Sequence, residues 1–107
     1  MAVRHFAALF LAVITVRATP AAAEPTPERQ AELRDLVKNE CTRCHGYQRR
    51  GQQGPSLLPK DVALKPEDYL IRTILNGRNT QMPAWKGMLS VEDVEFIVRR
   101  VLTEPPP

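Results

Sequence analysis

The chain has 107 residues, 25% of them charged, and a formal net charge of +3. Setting aside Arg4 and Arg17, which fall in the N-terminal stretch, residues 24–107 are close to neutral, which excludes the basic stripe of a nucleic-acid binder. That length allows one small domain, at a size where a side-chain core alone is marginal and a cofactor or staple helps.

Met1–His5 carries Arg4, Phe6–Val16 is an unbroken run of apolar residues and Thr15, and Ala21-Ala22-Ala23 reads as an A-x-A cleavage site. The pattern is that of a secretory signal peptide over residues 1–23, removed near Ala23. An uncleaved anchor is the competing reading, but the run falls short of the roughly 20 apolar residues that a span needs. Residues 24–107 are then expected outside the cytoplasm, in the periplasm, and not spanning a membrane.

Thr26 suits an N-cap and Pro27 the first position of a helix, with Glu28 in its first turn. Ala31, Leu33, Leu36 and Val37 give it a one-sided apolar stripe up to Glu40. The helix runs straight into Cys41-Thr42-Arg43-Cys44-His45, a C-x-x-C-H sequence, which is the c-type haem attachment motif. Two thiols one helical turn apart match the two vinyl groups of the porphyrin, and the adjacent imidazole supplies an axial ligand to the iron. The rivals are a disulfide, which an exported C-x-x-C pair can form, and a metal site. No βαβ pattern favours a thioredoxin-like motif. Once residues 1–23 are removed, His45 is the sole histidine, so zinc lacks a natural fourth ligand.

Tyr47 to Lys60 is rich in Gly, Pro, Gln and Arg and reads as a loop wrapping the histidine side of the ring, with Leu57 and Leu58 as apolar anchors. Gly54-Pro55 supports two readings. The Pro55 carbonyl is a candidate acceptor for the second ring N–H of His45, which would orient the imidazole and raise its basicity. The alternative is an ordinary turn. A second helix is predicted from about Pro66 to Asn76, with apolar Leu70, Ile71, Ile74 and Leu75, ending at Gly77. Gly77–Gly87 has no period. The last helix starts at Ser90, with Asp93 completing a capping box and Leu89 and Val94 a hydrophobic staple. Val94, Ile97, Val98, Val101 and Leu102 form its apolar face, and Glu104-Pro105-Pro106-Pro107 ends it.

The loop before that helix holds Met82-Pro83-Ala84-Trp85. A thioether from this loop would close the far side of the iron and make a six-coordinate electron-transfer centre. Pro83 stiffens the loop and holds Met82 extended, and Trp85 offers a plate for the ring edge with an indole N–H to spare. Met88 is the other candidate ligand; next to the last helix it also reads as core filling. With neither bound, the iron would have an open position, as a ligand sensor or small peroxidase requires.

The order helix, CTRCH, GP loop, helix, MPAW and closing amphipathic helix resembles a small class I c-type cytochrome, over nearly all of residues 24–107. More narrowly, ILNGRNTQMPAWKGMLSVEDVEFIVRRVL, Leu36-Val37 and Gly54-Pro55-Ser56-Leu57 are similar to the NirC group. Those are periplasmic monohaem cytochromes associated with haem-d nitrite reductase in denitrification. The resemblance implies an all-α fold around one covalent haem c. It also implies thioethers at Cys41 and Cys44, axial ligands at His45 and Met82, and an electron carrier rather than an enzyme. Its implied partners are redox proteins, a nitrite reductase or the enzymes that complete haem d. Leu33 stands where many class I cytochromes carry a small residue, so the crossing of first and last helices is expected wider or shifted. Arg43, Arg49, Arg50, Arg78 and Lys86 are either a basic docking ring for an acidic partner or a solvated surface.

Overall fold

A computed structural model of the chain describes residue 3 and residues 11–18 and 24–107. The positive n-region, the start of the apolar run and the cleavage site at Ala23 lie outside the described residues. Leu11 to Ala18 has no regular secondary structure. No described helix is long and apolar enough to cross a membrane.

The first helix is continuous in path but not in pitch. Helix α1 spans Pro27–Leu36, a π-helical turn spans Val37–Cys41, and α2 spans Thr42–His45. Thr26 caps α1 by accepting from the Arg29 N–H at 3.2 Å. The wide turn has a geometric use. Leu33, Val37, Cys41 and His45 are spaced four apart, and in a pure α-helix each such step drifts about 40° around the axis. An i→i+5 turn rotates each residue by less, which offsets the drift. Leu33 and Val37 are buried, Cys41 packs against the same core, and His45 is buried one turn on.

Helix α3, Pro59–Val62, starts in the last two residues of the stretch predicted as loop and runs past it. Pro59 at its first position and Asp61 in its first turn are helix-start chemistry, but so short a segment carries no periodic signal. Helix α4 is Glu67–Asn76, with Pro66 as N-cap rather than first helical residue. Helix α5 is Val91–Phe96 and continues as a second π-helical turn, Ile97–Val101. Its predicted capping box forms in full: Asp93 N–H donates to Ser90 Oγ at 3.1 Å, and Ser90 N–H to Asp93 Oδ2 at 3.2 Å. The only strand-like pairing among the described residues is an isolated bridge between Arg78 and Met82.

The core lies where α1 packs on the Ile97–Val101 turn and α4 packs on α5 and that turn. Leu33 is 0% exposed, so the crossing takes a whole leucine. Around it lie Val37, Val62, Leu89, Val94, Phe96, Ile97, Val98, Val101 and Leu102. Arg29 on α1 reaches Asp93 on α5, with Nη2 to Oδ2 at 2.8 Å and Nε to Oδ1 at 3.3 Å. Met88 is 72% exposed and fills no core. It sits in a turn where its N–H donates to the Trp85 carbonyl, so its side chain faces outward while Leu89 turns in.

Candidate haem site

α2 ends at His45, and the chain doubles back to cover its ring. His45 Nδ1 lies 2.6 Å from the Pro55 carbonyl oxygen. A carbonyl only accepts, so Nδ1 carries the proton and the lone pair is on Nε2. That is the tautomer a metal-binding imidazole needs. Gly54 lies directly over the ring. A Cβ there would meet His45 Cε1 at 2.7 Å and Nδ1 at 2.8 Å, so the imidazole packs on bare backbone. The Gly54 N–H donates to the Cys44 carbonyl at 2.7 Å, and Gly51 N–H to the His45 carbonyl at 2.8 Å. The loop is thus laced to the final turn of the motif.

Beyond Pro55, Ser56 Oγ donates to Asp61 Oδ2 at 2.7 Å and accepts from the Leu58 N–H at 3.2 Å. Ser56 and Lys60 hold the Asp61 carboxyl below the usual carboxylate range. Helix α3 therefore anchors the segment that presents the Pro55 carbonyl. Its contribution is a link missing from the sequence reading, because α3 itself was not legible there.

Met82 arrives on a separate loop and is half-buried. Its backbone pairs both ways with Arg78, at 3.1 and 3.2 Å. Gly77 (φ +73°) makes this possible: a Cβ there would collide with the Met82 carbonyl oxygen and lie 2.9 Å from Ala84 N. Trp85 and Lys86 N–H groups donate to the carbonyls of Ile74 and Leu75, both at 3.1 Å, tying the MPAW segment to the end of α4. Trp85 packs on the core edge with Cys41, Leu57, Leu70, Ile71, Ile74 and Leu75, all partly buried. The described hydrogen bonds gather Cys44, His45, Gly54 and Pro55 into one unit and leave Met82 in another.

One predicted surface residue is not at the surface. Arg49 is 4% exposed, with Nη1 3.2 Å from the Val101 carbonyl and Nη2 2.6 Å from the Glu104 carbonyl. It does not belong to a docking ring. Its backbone is left-handed (φ +59°), which turns the side chain inward under the end of the last helix. Arg43, Arg50, Arg78 and Lys86 are exposed, Arg43 standing 3.5 Å from Glu40.

A family model described as "Cytochrome C oxidase, cbb3-type, subunit III" matches residues 28–99. Cytochrome c55X of Pseudomonas aeruginosa is 40% identical over 100 residues, covering 89% of this chain and 84% of the relative. The chain belongs to the c-type cytochrome family. The solved c-type cytochrome NirC superposes on this cytochrome with a TM-score of 0.69 and 40% identity, over 73% of this chain and 93% of that one. Dihydro-heme d1 dehydrogenase NirN in complex with DHE matches with a TM-score of 0.59 and 34% identity, over 68% of this chain but 16% of its own.

Family membership implies covalently bound haem c, and the residues fit such a group. Two free thiols stand one helical turn apart, next to an imidazole whose Nε2 lone pair is available. The Cys41 thiol is pushed up to about 11, chiefly by burial and next by Glu40. Among the described residues no three His, Cys, Asp or Glu side chains converge as a metal-ion cluster.

Proposed function

We propose that the protein is a monohaem electron carrier that works in the periplasm, after removal of residues 1–23. In this reading Cys41 and Cys44 carry the thioethers, and His45 and Met82 the axial bonds. When bound, the haem supplies a single-electron couple whose potential methionine ligation raises relative to two histidines. The side chains do the rest. Pro55 holds the imidazole through Nδ1 and strengthens it as a donor. Gly54 leaves the ring room, Gly77 folds the Met82 loop back, and Trp85 walls the edge. The Trp85 indole N–H makes no hydrogen bond among the described residues and is free for a haem propionate. The observation that carries the reading is the fixed His45 tautomer beside two free thiols.

The relatives support a reading of the partner. Similarity to NirC and to cytochrome c55X supports delivery of electrons to a haem-d nitrite reductase in denitrification. A second reading has its own observation: the likeness to part of a dihydro-heme d1 dehydrogenase supports a redox step in haem d maturation. Deleting the gene separates them, because only the second leaves the reductase without its haem d. Arg43, Arg50, Arg78 and Lys86 are the charges left to steer the cytochrome to an acidic partner. Electron-transfer rates should fall as salt rises; rates indifferent to salt remove the steering role.

The deciding experiment is a visible and near-infrared spectrum of the exported protein beside Met82→Ala and Met88→Ala. The expected result is covalent haem and a low-spin spectrum with an Fe–S(Met) band, lost in Met82→Ala alone. Carbon monoxide binding by the unmodified protein would instead favour a ligand-binding role.

A further inference from the structure

Arg49 is a buried cation that the electron-carrier reading leaves without a task. Its two hydrogen-bonded partners are main-chain carbonyls, those of Val101 and Glu104, rather than carboxylates. The Glu104 carboxylate is itself engaged by Arg34 at 2.9 Å. A guanidinium keeps its charge even where burial lowers its pKa, as it does here. The main chain of Arg49 faces the other way. Its carbonyl accepts from Leu57 N–H at 2.8 Å, two residues past the Pro55 that holds the His45 ring. The charge is felt first by the Glu104 carboxylate, which Arg34 also holds, and then by the Cys41 sulfur.

We infer that Arg49 is a positioning residue that sets the redox balance of the site: it clamps the attachment loop to the end of the last helix, and its buried charge, hydrogen-bonded only to main-chain carbonyls, favours the reduced form. The inference rests on the electron-carrier reading. Each reduction takes one electron from a redox partner, breaks no bond and lowers the charge of the site by one. A fixed cation held out of water is therefore worth more to the reduced form than to the oxidised form.

The test compares Arg49→Gln and Arg49→Lys in the full exported holoprotein, by potentiometric titration and denaturant unfolding. Both variants should lose stability, since neither reproduces the forked contact to two carbonyls. Only Arg49→Gln should shift the reduction equilibrium toward the oxidised form, by about tenfold, the order expected for one partly screened charge. Arg49→Lys should stay within about twofold of wild type at pH 6. It should then drift toward the oxidised form, relative to wild type, as the buried ammonium deprotonates at higher pH. Equal potentials for the two variants at pH 6 would overturn the inference and leave Arg49 a structural clamp. If Arg49→Gln does not accumulate, Arg49→Lys decides alone, and a curve parallel to wild type up to pH 10 sinks the idea. Covalent haem and a low-spin spectrum are checked in every sample. Their absence from wild type would refute the electron-carrier reading itself.

Discussion

The side where α1 meets the last helix and the side that carries Cys41, His45 and Met82 are built differently. On the first, the largest wholly buried side chains are aliphatic, Leu33 and Val94, and the ion pairs Arg29 to Asp93 and Arg34 to Glu104 join α1 to the last helix and its end. On the second, Leu57, Leu70, Ile71, Ile74, Leu75 and Trp85 are only partly buried, and the close contacts are backbone to ring and carbonyl to imidazole. The first side is closed by side chains and should report on folding. The second arranges donors and should report on the haem. Substitutions on one side should leave the readout of the other largely intact.

The largest effect is expected at Gly54. In Gly54→Ala the new Cβ would stand 2.7 Å from the His45 ring, so the imidazole must move and lose Pro55. The φ of Gly54 is not left-handed, so alanine adds no backbone strain, and the damage should stay at the ring. Outer partners of metal-bound histidines typically matter by about 10–100-fold, and holoprotein yield should fall within that range. Haem staining after denaturation and the low-spin spectrum measure it. A normal yield with an unshifted spectrum would break the division between the two sides at its strongest point.

Next is Leu33→Ala, which empties a wholly buried position at the helix crossing. Leucine truncations of this kind cost about 2–5 kcal/mol. Denaturant unfolding of the holoprotein should show that loss, while the molecules that remain folded keep the unmodified spectrum.

What was legible in advance follows the same division. C-x-x-C-H, the Ser90–Asp93 box and the Val94–Leu102 stripe are local patterns with fixed spacing, and they can be read along the chain. Pro55 was legible as one of two readings, because a turn and a hydrogen-bond acceptor look alike before the chain closes. Arg49 was not. Its neighbours Arg50 and Gly51 suggest surface, whereas its partners Val101 and Glu104 are more than fifty residues away. Arg29 and Asp93 are likewise joined across 64 positions. Helix α3 was hidden by its brevity, and the outward face of Met88 by a turn that sequence spacing does not encode. Charge partners and side-chain direction are properties of the closed chain, and periodicity carries neither.

The Asp93 side chain has two tasks on the closed side, accepting from the Ser90 N–H in the capping box of α5 and the tie to Arg29. Arg29, helped by the Ser90 cap, holds its carboxyl below the usual carboxylate range. A depressed folded-state pKa stabilises the protein fully above the unfolded-state value, about 3.9. That stability is lost as pH falls through the folded-state value. Asp93→Asn should therefore cost about 1 kcal/mol at pH 7, chiefly the partly exposed ion pair, since an Asn oxygen can still accept from the Ser90 N–H. The gap from wild type should narrow below about pH 4. A gap of constant size across that acid range would show that the charge contributes nothing and the cap everything.

The smallest effect lies on the seam between the two sides. Arg99, on the last helix, meets Glu67 of α4 at 2.7 Å and Glu95 one turn back at 3.3 Å. All three carboxylate and guanidinium groups are open to water to a substantial degree, so screening and side-chain entropy offset most of the attraction. Glu67→Gln should lower stability only slightly in low salt and not measurably near 1 M salt, with the spectrum unchanged. A salt-resistant loss well above that, accompanied by a spectral change, would mean that α4 and the last helix move as one body with the Met82 loop, which hangs from the end of α4 through Trp85 and Lys86. The two sides would then be mechanically coupled through α4, and the separation of folding from haem readout would hold only for the Leu33 side of the core.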